Sequence, residues 1–205
     1  MSSSHLKESM ELQYREGTAP WDTGVPCSEL RRRLAAGDLP VSGKALDLGC
    51  GSGVQSLVLA DHGLEVVGVD LSETAVAQAK QRASQYSAER PPRFIAGDLT
   101  ELRNIGEPFD LLFDRGCYHQ ARRENLDGFV RALRDLSHSG STLFVMAFSS
   151  TEPPEFPGLP VVSEEDLRAE LGGLFDVTDL RTCRLDRPRD FTRSPLFWSV
   201  LLKRR

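Results

Sequence analysis

From Phe109 to His119 the sequence reads FDLLFDRGCYH, an apolar run that stops in an acid, a base, a glycine, a thiol, a phenol and an imidazole. Such a set could be a nucleophilic cluster, a metal site or the wall of a pocket whose chemistry lies elsewhere. Cys117 has no evident acid–base pair to activate it as a covalent nucleophile. The four cysteines are scattered, with no C-x-x-C pair and no zinc spacing. His119 follows the C-terminal end of a strand pattern, the edge where open α/β sheets bind ligands. It is also the candidate there whose ordinary pKa lies near neutrality, as a general base requires. Tyr118 is expected to stack on a planar ligand. Arg115 can lower an acceptor's pKa, hold its carboxylate, or simply pair with Asp114 or another acid.

A second group lies upstream, in LDLGCGSG from Leu46 to Gly53. This stretch joins an apolar strand directly to a helical pattern, and Gly49, Gly51 and Gly53 let the backbone approach a ligand closely. The spacing is G-x-G-x-G, unlike a nicotinamide or flavin loop, and the Lys-Ser/Thr ending of a phosphate-gripping loop is missing. Asp47, just before the glycines, suits a ligand with a positive amino group better than a pyrophosphate. Asp70 closes the next strand, where a carboxylate can accept from both hydroxyls of a ribose. Asp98 closes a third strand in AGDL, where its side chain or the neighbouring amides can read an adenine edge. An acid for an amine, one for a ribose and one near adenine together describe S-adenosylmethionine.

These residues need a sheet to hold them, and its strands are legible. KALDLG, LEVVGVD, RFIAGD, FDLLFD and TLFVMAF are almost wholly apolar, as parallel strands covered on both faces should be. Helical patterns separate them. Val54, Leu57 and Val58 share one face; Ser72 caps a helix striped by Val76, Ala79 and Ala83; Leu126, Phe129, Val130 and Leu133 make a third face. The Pro-rich stretch from Ser149 to Pro160 cannot be a regular element. A short helix capped by Ser163, with Asp166 three residues on, should end at Gly172 and Gly173. The closing runs FDVTDLRTCRL and SPLFWSVLLKR have no helix between them, so they should pair as an antiparallel hairpin, with Trp198 in the core. Arg31–Arg33 reads as the solvated face of a short helix whose Leu30 and Leu34 turn inward. Of the remaining histidines, His62 is expected in solvent, His138 in a structural turn and His5 in a disordered terminus.

The motifs resemble those of class I S-adenosylmethionine-dependent methyltransferases, from about Trp21 to the C-terminus. LDLGCGSG is similar to that superfamily's first motif, VVGVDLS to its second-strand acid and AGDL to its adenine-side acid. YREGTAPWDTGVP resembles the PWD-x-G segment of small-molecule thiol, halide and thiopurine methyltransferases. The resemblance implies an α/β, three-layer Rossmann-like methyltransferase fold, with a mostly parallel seven-stranded sheet and an antiparallel last strand. It implies a single domain over residues 1–205, with 1–40 covering cofactor and substrate and 41–205 forming the catalytic core. It implies that Trp21, Asp47, Gly49, Cys50, Gly51, Gly53, Asp70, Leu71, Asp98, Leu99, Asp114 and Arg115 bind S-adenosyl-L-methionine. Tyr118 and His119 would then face a small-molecule methyl acceptor: a thiol or other soft nucleophile, or a hydroxyl or amine of a small aromatic metabolite. His119 would act as base only for oxygen or weakly acidic nitrogen acceptors. The N-terminal segment and the Ser149–Pro160 loop would close over the site and set its specificity.

Composition narrows the partners. A net charge of −5 and a pI near 5.5 disfavour a nucleic-acid phosphate backbone. After the fourth strand the chain has DRGCYH, not the Asn/Asp-Pro-Pro-aromatic motif of enzymes that methylate nucleic-acid amines. No acid-rich cluster there suggests a metal site. No apolar run approaches the ~18–20 residues of a membrane span, and the N-terminus lacks a signal peptide's apolar core. The cysteines read as free thiols in a reducing compartment, so the expectation is a cytoplasmic monomer or weak homodimer. A nicotinamide-dependent oxidoreductase and a non-catalytic cofactor-binding module remain as alternatives.

Overall fold

The five apolar runs and the closing pair assemble into one seven-stranded sheet in the computed structural model, which describes residues 3–86, 90–154, 158–186 and 192–205. The strands are β1 (Lys44–Leu48), β2 (Glu65–Asp70), β3 (Arg93–Ala96), β4 (Phe109–Arg115), β5 (Ser137–Phe148), β6 (Phe175–Arg184) and β7 (Leu196–Arg204). The helices are α1 (Ser3–Glu16), α2 (Ser28–Ala35), α3 (Val54–Asp61), α4 (Glu73–Ser84), α5 (Tyr118–Leu136) and α6 (Glu164–Leu171). The spatial order is β3-β2-β1-β4-β5-β7-β6. The first five are parallel, and β7 runs antiparallel to both β5 and β6. This is the expected fold, including the reversed last strand.

Sheet order creates the site. β1 lies between β2 and β4, so the loops after β1 and β4 leave the same edge and diverge, opening a crevice at the switch point. The register sets Leu48 beside both Val69 and Asp114, and Asp70 beside Ala96. Three strand-end acids and the glycine loop therefore share one edge. Leu46, Leu48, Leu112 and Leu143 are fully buried. Each such side chain contributes about 1.5–3 kcal/mol on burial, which makes the edge a rigid platform.

Local signals hold at the caps. Ser72 Oγ accepts from the Ala75 N–H at 3.0 Å, and Ser163 with Asp166 forms a reciprocal capping box. Trp198 is core, its Nε1 donating to Val162 O at 2.7 Å.

Four expectations need correction. Arg33 is not on a solvated face: it is fully buried, bonded to Glu29, Asp38, Asp179 and Ser199. Packing of α2 over β6 and β7 leaves room there only for a side chain whose charge is met. On α3 the buried face is Ser56, Leu57 and Leu59, with Val54 and Val58 only half-buried. Ser56 turns inward because its hydroxyl donates to Asp47 at 2.6 Å. The backbone at His5 is helical, within α1, and His62 is half-buried with Nε2 out of solvent. His138, as expected, is structural, with Nε2 3.0 Å from Asp110.

The helix after β4 is two pieces. Asn125 has φ −158° and ψ 73°, and its Oδ1 accepts from the Gly128 N–H at 2.9 Å, capping the second piece.

Candidate active site

The crevice holds a chamber of about 350 Å³ and, next to it, a cleft of about 50 Å³ against the glycine loop. Tyr14, Trp21, Gly49 and Arg115 line both, so the cleft is a side arm of the chamber. Asp47, Cys50, Gly51 and Asp22 line the cleft; Asp70, Leu71, Asp98 and Leu99 line the chamber.

Each acid is oriented by the local fold. Asp70 accepts from the Gly51 N–H (Oδ2) and the Ser72 N–H (Oδ1), both at 2.9 Å. Burial nevertheless raises its pKa from the ordinary aspartate value, against those two hydrogen bonds. Asp98 Oδ1 accepts from the Thr100 N–H and hydroxyl, both at 2.8 Å. Asp47 is buried, and desolvation pushes its pKa up to about 7 despite the Ser56 hydrogen bond. Across the cleft, Arg115 donates through Nη1 to Trp21 O at 3.4 Å, while its buried Nε has no partner among the described residues. No ion pair joins it to Asp114 among them.

Two glycines are needed for packing, and Gly53, expected at the cofactor, lines neither cavity. At Gly51, φ is +53° and an added Cβ would lie 2.6 Å from the Tyr14 hydroxyl. At Gly53, φ is +81° and a Cβ would meet Ala79 and Phe94 at 2.9 Å, so this glycine lets α4 and β3 pack on the loop. Cys50 is buried beside the loop, and burial holds its thiol pKa well up.

Three further expected pocket residues do not behave as the motif suggested. Asp114 lines neither cavity; it accepts from the Gly116 N–H at 3.1 Å and the Tyr118 N–H at 2.7 Å. It ties the end of β4 to the start of α5, and burial pushes its pKa up to about 8. Tyr118 is also absent from both cavities: its ring packs on Phe129 and its hydroxyl donates to Glu170 at 2.6 Å. It turns into the core because the next residue along the helix, His119, takes the cavity-facing position. His119 does line the chamber, but its ring is not poised near neutrality. Burial, aided by Arg115 and Arg123, lowers its pKa to about 3. Its Nδ1 accepts from the Phe148 N–H at 3.3 Å, so the neutral ring carries its proton on Nε2. His119 is an N–H donor in this arrangement, not a base. Cys117 lines the chamber with a thiol that burial holds well above its usual pKa, so it is no thiolate nucleophile.

The N-terminal helix supplies residues outside the sequence motifs. Leu6, Met10 and Tyr14 of α1 line the chamber. Glu11 accepts from Ser72 Oγ at 2.7 Å and the Thr74 N–H at 3.2 Å, fastening α1 to the start of α4. Trp21 Nε1 donates to the Tyr14 hydroxyl at 2.9 Å. Leu6, Met10 and Tyr14 recur at the i, i+4, i+8 spacing of one helical face, a signal that could have found them. Of the Ser149–Pro160 loop, Leu159 and Pro160 line the chamber, and residues 155–157 lie outside the described residues.

A reversed last strand, a glycine loop after β1 and acids closing β1, β2 and β3 around one crevice define an S-adenosylmethionine-dependent methyltransferase. The family model described as methyltransferase domain matches residues 45–140. A methyltransferase of Schizosaccharomyces pombe is 32% identical over 111 residues, 54% of this chain and 75% of that one. The 2-heptyl-1-hydroxyquinolin-4(1H)-one methyltransferase of Mycobacteroides abscessus is 28% identical, over 89% of this chain and 83% of that one. The solved 1,6-didemethyltoxoflavin-N1-methyltransferase of Burkholderia thailandensis, with S-adenosylhomocysteine bound, has the same fold: TM-score 0.72, 21% identity, 99% of this chain and 89% of that one. The chain belongs to the S-adenosylmethionine-dependent methyltransferase family. Membership removes the nicotinamide alternative. Among the described residues no helix is long and apolar enough to cross a membrane, and no group of three or more potential ligands could hold a metal ion.

Proposed function

We propose that the enzyme methylates a small, flat, largely apolar acceptor that reaches the site already ionised: a thiolate, or an oxygen or nitrogen anion of a fused heterocycle. The observation that carries this is the state of His119, a buried neutral ring whose acceptor nitrogen is already engaged by the Phe148 N–H. Among the described residues lining the acceptor end, no other side chain offers an ordinary pKa near neutrality. A thiol of pKa ~8.5 is a few per cent thiolate at neutral pH and needs no help.

The side arm fits the amino-acid end of the cofactor, with Asp47 opposite its ammonium and the unpartnered Arg115 Nε opposite its carboxylate. Asp70 would take the ribose hydroxyls, with Asp98, Leu71 and Leu99 around the adenine. When bound, the cofactor supplies a methyl group on a sulfonium, already activated for in-line displacement by a nucleophile. The chain's own task is to position and desolvate. Leu159, Phe148 and Phe197 offer an apolar wall to a flat acceptor. His119 Nε2–H and Gln120 can donate to it, and α1 can exclude water. The Mycobacteroides abscessus relative, whose named acceptor is a hydroxylated quinolone, supports a flat heterocycle. The small-molecule thiol methyltransferase likeness of the PWD-x-G segment supports a soft nucleophile.

A labelled-methyl assay tests this across thiophenols, N-hydroxyquinolones, simple phenols and alkyl alcohols. Transfer should follow acceptor acidity and be negligible for alcohols. Good turnover of alcohols would overturn it.

A further inference from the structure

Among the described residues four buried side-chain polar atoms have no hydrogen-bond partner: His62 Nε2, Arg115 Nε, Glu124 Oε2 and Arg204 Nε. Arg115 and Glu124 both line the large chamber, and Arg115 is accounted for by the cofactor's amino-acid end. Glu124 is not. A buried unpaired carboxylate oxygen is costly, so an oxygen of this kind in a binding chamber signals a donor brought by a ligand.

The surrounding architecture gives Glu124 no structural task. It is the last helical residue before the break at Asn125, where a negative charge opposes the helix dipole and so does not stabilise the helix. The two arginines before it are engaged elsewhere: Arg122 with Glu170 and Asp166, Arg123 with Gly158 O at 3.3 Å. Gln120 precedes Glu124 by four residues, so the two side chains stack one turn apart on a common face, with Ala121 leaving space beside them. All three line the chamber. Asp98, two residues past the end of β3, is already assigned to the adenine end. Glu124 therefore extends the acceptor wall that begins at His119 and Gln120.

We propose that Glu124 is a specificity-determining residue for the methyl acceptor, and that the acceptor carries an N–H or O–H donor, away from its nucleophilic atom, which Glu124 Oε2 accepts. This rests on the proposed acceptor chemistry and sharpens it: the substrate is a flat apolar molecule with an anionic end and a donor end. Such a site rejects an analogue lacking the donor, because the Oε2 atom of the half-buried Glu124 is then left buried and unpaired.

The test uses the full-length enzyme saturated with S-adenosylhomocysteine, whose affinity is measured first and independently. Calorimetry then compares two probes, 6-hydroxynaphthalene-2-thiol and naphthalene-2-thiol. The wild type should bind the hydroxylated probe on the order of tenfold tighter, as a hydrogen bond to a charged group implies. Glu124→Leu should erase the preference and leave S-adenosylhomocysteine affinity unchanged, and Glu124→Gln should keep part of the preference. Equal affinities in the wild type, an unaltered preference in Glu124→Leu, or no binding of either probe would overturn the proposal. So would weaker S-adenosylhomocysteine binding in Glu124→Leu, which would assign Glu124 to the adenine amine. Failure of the wild type to bind S-adenosylhomocysteine would instead strike the cofactor assignment itself.

Discussion

Asp70 and Asp47 are both buried carboxylates, yet the fold treats them differently. Asp70 is held by two backbone N–H groups, whereas Asp47 has one hydroxyl donor and a pKa pushed up to about 7 by burial. An acid protonated about half the time at neutral pH must lose that proton to receive an ammonium. Cofactor affinity should therefore rise as pH increases from 6 to 8, with proton release on binding. Asp47→Asn should flatten that rise, which calorimetry in buffers of different ionisation enthalpy would detect. Asp70→Ala should weaken S-adenosylhomocysteine by at least about a hundredfold, through the lost ribose contacts and a loosened glycine loop. Normal binding by that variant would refute the ribose assignment. Asp47, Asp70 and Asp98 stand out in the sequence because acids at or just past the ends of consecutive apolar strands form a pattern in one dimension. The states of His119 and Tyr118 were not legible, because burial, tautomer and the roughly 100° of helix rotation between adjacent side chains leave no one-dimensional trace. Asp114 misled for the same reason: its position at a strand end is that of a ligand-binding acid, but two backbone N–H groups claim it.

α1 is tied by Glu11 to Ser72 and Thr74, and by Tyr14 to Trp21, so its hold on the chamber depends on a few polar contacts. Glu11→Ala should free α1 for faster amide exchange and weaken S-adenosylhomocysteine several-fold, without changing the ranking of acceptors. Hydrogen exchange and calorimetry would read both effects, and unaltered exchange would show that the apolar face alone holds the helix. Strand and helix order was readable from hydrophobic period alone, since both-faces-buried strands and capped helices alternate plainly. The N-terminal helix was less so: it is polar outside a narrow stripe and packs on α4 only in three dimensions. The break in α5 at Asn125, which ends one helix piece at Glu124, was hidden inside an unbroken apolar period.

For the molecule as a whole, the sheet and the site have separate supports. Arg33, buried with Glu29, Asp38, Asp179 and Ser199, bolts α2 to the β6–β7 hairpin, away from both cavities. Removing one partner of a buried charge network costs about 3–5 kcal/mol. Arg33→Ala should accordingly lower the melting temperature by roughly 10 °C, by the size scaling of unfolding entropy, yet leave cofactor affinity intact at low temperature. A melting point within about 2 °C of the wild type would mean that the network contributes little. On the proposed function, the protein supplies position and dryness while the acceptor supplies its own charge. This is tested most directly by the rate of methyl transfer to one thiophenol against pH, in the wild type and in His119→Asn, which keeps an acceptor for the Phe148 N–H. The rate should rise with the thiolate fraction in both, with kcat differing by less than about tenfold. A loss of about a hundredfold or more in His119→Asn, the scale of general-base catalysis, would contradict it.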